Sequence, residues 1–222
     1  MIRFGGYLLA TLLWSGAAFA QEYVVTDGPL SDADFYRLVS CAAPPGDTCQ
    51  SEKIHWDKPT VRVTFAPIPP AYPVDLAKEM DRALDYAIAQ INSAAPGLTV
   101  ERVSKSATAE IEIYLQPIRA GDAISRTGRA DLDGTPIGAA QVQVWWDWNR
   151  DLTEAVIVFA ADIPLDQAGP IMLEELTQSM GLMTDIRNPY YTHVSVFSED
   201  SNSVAKLGPQ DREALRLHYS GR

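Results

Sequence analysis

Three polar side chains in the segment 171–182 have the types and the spacing of a chemical site. Glu174 and Gln178 are four residues apart, which places them on one face of a helix, and Glu175 lies beside them. Carboxylate and amide oxygens suit hard cations such as Ca²⁺ or Mg²⁺, and a carboxylate can act as a general base. A glycosidase pair is excluded, because adjacent helical residues point about 100° apart and cannot flank one bond.

The same spacing occurs in the H-E-x-x-H helix, in which two histidines bind zinc and the glutamate is the general base. Glu174 and Gln178 take the histidine positions, Glu175 takes the base position, and Gly181 takes the glycine of the longer motif. Zinc prefers nitrogen or sulfur ligands, so these oxygen donors suit it poorly.

Two residues after this helix could complete a ligand set. Asp185 follows the turn at Gly181, and His193 lies in the next polar loop. The candidate metal ligands are therefore Glu174, Gln178, Asp185 and His193, with zinc or calcium as possible ions and Glu175 as the candidate catalytic residue. Because both helix histidines are absent, we expect no bound cofactor.

Three tryptophans, Trp145, Trp146 and Trp148, form a second candidate site. On a strand, Trp146 and Trp148 share one face and Trp145 takes the other. Stacked indoles could bind a sugar ring or a peptide. Alternatively, Trp146 or Trp148 fills the core beneath the loop 119–136, as buried aromatic residues commonly do.

The N-terminus predicts export. Arg3, an apolar run from Tyr7 to Trp14 and the small-residue site Ala18-Phe19-Ala20 indicate a cleavable signal peptide over residues 1–20. The run is shorter than the roughly 20 apolar residues that span a bilayer, so we expect no membrane span after cleavage. The expected location is the periplasm or the extracellular medium, where Cys41 and Cys49 would form a disulfide.

The charge argues against nucleic acid as a partner. The chain has 18 basic and 29 acidic residues, and its formal net charge at pH 7 is −11. Such a surface repels nucleic acid and anionic lipid. An envelope protein, a peptide or a glycan remains as the partner, and the oligomeric state is left open.

Hydrophobic periodicity predicts an α+β fold with helices on one side of a mixed sheet. We predict a disulfide-pinned segment over residues 21–58 and a single domain over residues 59–222. The pattern predicts helices over residues 31–41, 74–94, 169–180 and 208–218, and strands over residues 60–65, 98–103, 109–115, 139–148 and 153–160.

The chain resembles metzincin-type zincins, especially the matrixin-like ones. Residues 174–182 look like their site helix, residues 195–197 like the turn that floors their site, and residues 207–219 like their closing helix. The resemblance implies a zincin-like fold with a long backing helix, a site helix and a C-terminal helix. Of the functional residues of that group, only Glu175 is unchanged.

The mature chain also resembles a bacterial exported family, the domain-of-unknown-function family 2927. The likeness is carried by residues 35–39 and 41–46, by Cys49 and Trp56, by residues 174–178 and by residues 195–197. It implies a fold but no activity. We therefore predict a non-catalytic, zincin-like binding protein of the cell envelope with a degenerate metal site. The alternatives are an atypical metal-dependent hydrolase with Glu175 as base, and a structural envelope component without a ligand.

Overall fold

A computed structural model describes residues 23–104 and 108–220 of the protein, so the predicted signal peptide lies outside the described residues. This part of the chain has a mixed α/β fold. In chain order its elements are β1 (Tyr23–Val25), α1 (Asp32–Cys41), β2 (Thr60–Phe65), α2 (Val74–Asn92), β3 (Thr99–Arg102), β4 (Ile111–Leu115), β5 (Ala140–Trp146), β6 (Leu152–Phe159), α3 (Ala168–Gln178), β7 (Asp185–Arg187) and α4 (Pro209–Tyr219).

The main sheet has five strands in the order β3-β2-β4-β6-β5. The strands β3, β2, β4 and β6 pair in parallel, and β5 pairs antiparallel with β6. The predicted mixed sheet is therefore confirmed. The antiparallel strand β5 lies at one edge, so one side of its backbone has no partner strand in the described part of the chain.

The long helix α2 covers one face of this sheet. Its apolar residues recur at helical spacing and are buried, namely Leu76, Met80, Ala83, Leu84, Ala87 and Ile91. The Asn92 side chain then accepts a hydrogen bond from Val100 N and donates one to Val100 O, which fixes the start of β3. Helix α2 also packs against α3, the helix that carries Glu174, Glu175 and Gln178, and so holds it in position.

The two faces of β6 contribute to two different hydrophobic clusters. Ala155, Ile157 and Phe159 belong to the main core with the helices. Val156 and Val158, with Ala160 just after the strand, face the other way and pack against Ile124, Leu132 and Ile137 of the long loop before β5. This loop, predicted as irregular, therefore closes the face of the sheet that the helices leave open.

The N-terminal segment is part of the same core. Ser31 caps α1 by accepting a hydrogen bond from Asp34 N, and Phe35, Leu38 and Val39 are buried in the main cluster. The predicted disulfide between Cys41 and Cys49 is present. Trp56 is also fully buried, and its indole nitrogen donates to Ser179 O at 2.9 Å.

Two short strands were not predicted. β1 and β7 form a separate parallel pair, in which Tyr23 aligns with Asp185 and Val25 with Arg187. β2 has the predicted bounds, and the boundaries of the other predicted elements differ by a few residues. Among the described residues, no helix has both the length and the apolarity needed to cross a membrane.

Candidate functional site

Helix α3 carries the three polar residues of the motif into an otherwise apolar environment. Its neighbouring residues Met172, Leu173 and Leu176 are fully buried. Glu174 is half-buried, whereas Glu175 and Gln178 are buried. Polar side chains in such a position need partners, because burial without hydrogen bonds costs free energy.

These residues line a polar cleft with a volume of about 320 Å³ between α3 and the beginning of β5. Asp185, Glu199 and Met183 complete its helix side. Gly138, Ala140, Gln141 and Val142 form the strand side. The strand beside the site helix is thus β5. β6, the strand that precedes α3 in the chain, lies next to β5 and one position further into the sheet.

Asp185 reaches the cleft because the chain turns sharply after α3. Gly181 has φ 95°, and the chain then enters β7 at Asp185. The Gln178 side-chain nitrogen donates to Asp185 Oδ1 at 2.9 Å. Glu174, Gln178 and Asp185, three of the four candidate metal ligands, therefore line one cleft together with Glu175.

Gly181 allows this turn for two physical reasons. Its positive φ is unfavourable for residues with a side chain, and a Cβ would lie 2.1 Å from Ile54 O.

We expect Gly181→Ala to lower the free energy of unfolding by about 2–4 kcal/mol. Gly169→Ala in α3 is the matched control, since a Cβ at that position would have no other atom within 4 Å. Urea unfolding of both variants checks this, and equal stability would contradict the account.

Glu199 also belongs to the cleft, although it was not predicted. It follows the turn 195–197, and its backbone nitrogen donates to Ile186 O at 3.2 Å. Its carboxylate accepts a hydrogen bond from Arg187 Nη2 at 2.9 Å. In the sequence, only the acidic pair Glu199-Asp200 pointed to a possible site in this loop. The three-dimensional fold is needed to show that the loop lies against β7 and so brings Glu199 into the cleft.

Burial determines the electrostatics of the cleft. Loss of water around Glu175 raises the pKa of its carboxyl to about 8. Burial also raises the pKa of Glu174 well above its usual value, and the nearby charges of Asp185, Glu175 and Glu199 raise it further. The pKa of Asp185 is raised in the same way, although the hydrogen bond from Gln178 opposes the shift.

One oxygen of the cleft has an unmet hydrogen-bonding capacity. Glu175 Oε2 is buried and has no hydrogen-bond partner within the described ranges. The residue as a whole is 9% exposed. A buried carboxyl oxygen without a hydrogen-bond partner is unfavourable, and such groups in native proteins often mark a functional site.

The donor set does not fit zinc. The side chains around the cleft that could bind a cation offer oxygen atoms, and zinc prefers nitrogen and sulfur. His193 is exposed, lies outside the cleft lining, and places Nδ1 3.2 Å from Ser203 Oγ. Over residues 23–104 and 108–220, no group of three His, Cys, Asp or Glu side chains is arranged to hold a metal ion.

The sequence comparisons place the site within a family domain but assign it no activity. Residues 49–222 match the family described as "Protein of unknown function (DUF2927)". The chain belongs to the DUF2927 family. The search of curated proteins gave no match. The part of the chain that matches DUF2927 includes α3, Asp185 and Glu199, so the whole cleft lies within the family domain.

The three candidate ligand-binding tryptophans of this DUF2927 domain lie in three different environments. Trp145 is half-buried on the second cluster and donates from Nε1 to Asp131 Oδ2 at 2.9 Å. Trp146 packs against the main core. Trp148 lies beyond the end of β5 in the hairpin and is 90% exposed. Because β5 ends at Trp146, Trp146 and Trp148 do not share one strand face.

Proposed function

We propose that this protein is exported to the bacterial cell envelope, where it binds an extended peptide segment of a partner without hydrolysing it. The scaffold of this proposal is a zincin-like fold with a degenerate metal site. A mixed sheet with a long helix α2, a site helix α3 and a C-terminal helix α4 is the arrangement that the resemblance to metzincins implies.

The observation that carries the proposal is the edge strand beside the polar cleft. Ala160 N donates to Ala139 O, so Ala139 faces β6. Because neighbouring residues of an antiparallel strand alternate, Ala140, Val142 and Val144 direct their N–H and C=O groups away from β6. An extended peptide could add to this edge as a further strand, with its side chains reaching the adjacent cleft.

Local side chains cover part of this edge. The amide nitrogen of Gln141 donates to Val142 O at 3.1 Å, and that of Gln143 donates to Val144 O at 3.3 Å. Covering of edge groups protects a sheet from uncontrolled pairing with other chains. A bound peptide would replace these side-chain donors with backbone N–H groups, so the edge can open without losing hydrogen bonds.

The variant Ala140→Pro tests the proposed peptide site. Ala140 is the first residue of the edge strand and its N–H points outward, a position at which proline is tolerated. We expect this variant to remain folded but to bind blocked heptapeptide pools at least about tenfold more weakly, since one strand-pairing donor is removed. Fluorescence polarisation measures the binding. Ala140→Ser is the control that keeps the N–H, and equal binding by Ala140→Pro and Ala140→Ser would refute the edge-strand site.

The competing function is an atypical metal-dependent hydrolase, and Glu175 is the observation that favours it. This residue occupies the base position, and its pKa of about 8 is close to neutral pH, as a general base requires. Elemental analysis of protein purified without added metal, followed by casein and peptidoglycan assays, separates the two functions. Stoichiometric metal together with hydrolysis that is lost in Glu175→Gln would establish the hydrolase instead.

Export is supported by the residues of the predicted signal peptide and by the Cys41–Cys49 disulfide. We expect the mature protein to begin at Gln21 and to occur in the periplasmic or secreted fraction. N-terminal sequencing of the protein from fractionated bacterial cells checks this. A cytoplasmic protein that retains residues 1–20 would contradict it.

A further inference from the structure

We propose that the cleft beside β5 is a recognition pocket for a positively charged side chain, lysine or arginine, of the bound peptide. This inference rests on the proposed peptide-binding function and specifies its ligand class.

The first argument is the charge of the cleft. Its titratable lining residues are Glu174, Glu175, Asp185 and Glu199, all of them acidic. The remaining polar side chains of the lining are the neutral amides of Gln141 and Gln178. A ligand that enters this cleft meets mainly hydrogen-bond acceptors, so it must bring donors.

The second argument is the buried oxygen of Glu175. Its Oε2 atom has no donor within the described residues, and the side chain is nine-tenths buried at the helix wall of the cleft. The Gln178 amide on the same helix donates instead to Asp185 Oδ1. A ligand that brings a donor therefore supplies the partner that this oxygen lacks once Glu175 is deprotonated.

Arginine and lysine supply what the cleft lacks. The arginine guanidinium carries five N–H donors and the lysine ammonium carries three, and neither group accepts a hydrogen bond. Burial raises the pKa values of Glu174, Glu175 and Asp185 in the free protein, so an entering cation favours the loss of their protons. The cation then forms charge-assisted hydrogen bonds with the carboxylates, which are about twice as strong as neutral ones. The cleft volume of about 320 Å³ is large enough for the head group of a side chain. A site for a bare metal ion would need less space.

The protein's own nearby cation is occupied elsewhere. Arg187 donates to Glu199 and lies 3.3 Å from Asp200, and its guanidinium stacks 3.6 Å from the centre of the Tyr23 ring. These contacts hold Arg187 at the β1–β7 pair rather than in the cleft lining. Arg187 therefore fixes Glu199 without filling the pocket.

The position of the pocket also sets the register of the peptide. The cleft contacts the beginning of β5, at Ala140 to Val142, whereas the strand continues to Trp146. A seven-residue strand spans about 23 Å at 3.3 Å per residue. A peptide of about seven residues with its cationic side chain near one end therefore covers both the pocket and the strand edge.

An acidic depression adjoins the pocket and extends the same charge. It has a volume of about 600 Å³, shares Glu199 with the cleft, and includes Asp166 and Asp200. Like charges along a concave surface attract ligands of the opposite charge and raise their association rate. Basic residues flanking the anchor are therefore expected to strengthen binding further.

The test uses blocked heptapeptide pools in which one position is fixed and the others vary. Pools fixed as arginine or lysine are compared with pools fixed as citrulline or norleucine, which have similar length but no charge. We expect the arginine and lysine pools to bind at least about tenfold more tightly. Equal affinity of charged and uncharged pools would overturn the cationic pocket but leave peptide binding intact. Absence of binding by every pool would overturn both.

Two variants separate the pocket from the overall charge of the protein. Glu174→Gln and Asp185→Asn each remove one pocket carboxylate, and we expect each to reduce the preference for arginine over citrulline at least about fivefold. Asp75→Asn is the control, because it removes one carboxylate at an exposed site on α2, outside the pocket. If all three variants reduced the preference equally, the effect would be one of net charge and the pocket would be refuted.

Discussion

Replacing Asp211 with alanine is expected to lower the free energy of unfolding by about 3–5 kcal/mol. The Asp211 carboxylate is fully buried at the start of α4. It accepts hydrogen bonds from Ser195 Oγ at 2.6 Å, from Val196 N at 3.0 Å and from Gly208 N at 2.7 Å. Alanine would leave these buried donors without an acceptor, which costs about 1–3 kcal/mol for each unsatisfied group.

Glu213→Ala on the same helix is the matched control for this substitution. Glu213 pairs with Arg216 at the surface, and such pairs contribute little to stability. Urea unfolding at pH 7 measures both variants. An Asp211→Ala protein as stable as the control would contradict the role of Asp211. The Asp211 carboxylate also anchors the turn 195–197, which leads to Glu199. Loss of this anchor in Asp211→Ala should therefore displace Glu199 and weaken binding in the cleft.

Stability should decrease as the pH rises from about 5 to 8, and Glu175→Gln should reduce this decrease. In the unfolded chain Glu175 loses its proton near pH 4.5, whereas in the folded protein it keeps the proton up to about pH 8. Between these values the folded state binds more protons, so each rise in pH favours unfolding. The loss is complete above about pH 8 and is on the order of 5 kcal/mol for this residue.

Glutamine at position 175 stays neutral and removes this contribution. We therefore expect Glu175→Gln to be more stable than the natural protein at pH 8 and similar to it at pH 5. Glu174, Asp185 and Asp211 also have raised pKa values, so part of the decrease will remain in the variant. Parallel stability curves for the two proteins would show that Glu175 is not buried as a neutral acid.

The pH range of this experiment avoids an opposite effect at acid pH. The hydrogen bonds of Glu110 with Arg62 and Lys58 outweigh its partial burial and lower its pKa to about 2. Its stabilising effect is present above about pH 4.5 and is lost as the pH falls towards 2. Measurements between pH 5 and 8 therefore report mainly on the carboxyls with raised pKa values.

The elements that the sequence predicted well are those with strong local patterns. The apolar period of α2 and the Pro96-Gly97 pair after it determine that helix almost completely. β2 alternates from Thr60 to Phe65 and occurs with those bounds. β1 and β7 were missed because each has three residues and exists only through pairing with a segment about 160 residues away.

The hairpin after β5 explains why Trp148 does not share a strand face with Trp146. Asp147 Oδ1 accepts hydrogen bonds from Asn149 N and Asp151 N, and Arg150 adopts a positive φ of 73°. This turn ends the alternation at Trp146 and leaves Trp148 exposed. An aspartate side chain that accepts a hydrogen bond from the backbone N–H two residues later favours a turn over a strand. The alternating pattern of residues 139–148 suggested a strand instead, so this turn was not predicted.

Helical spacing placed Glu174, Glu175 and Gln178 correctly on one element, because i and i+4 residues share a face. The position of Glu199 in the cleft depends on the hydrogen bonds that Asp211 accepts from the preceding turn and on the pairing of Ser198 with Ile186 in β7. No local pattern encodes those long-range contacts. The cleft as a whole, and the edge strand that borders it, therefore required the three-dimensional structure.

Hydrogen exchange of the β5 amides, followed by NMR with and without an arginine-fixed heptapeptide pool, is the most direct test of peptide binding. The amides of Gln141 and Gln143 face β6 and should be protected in the free protein. Those of Ala140, Val142 and Val144 should exchange faster when the protein is free and become protected only when peptide is bound, with the peptide recovered intact. Unchanged exchange at these three amides, or cleavage of the peptide, would contradict the account.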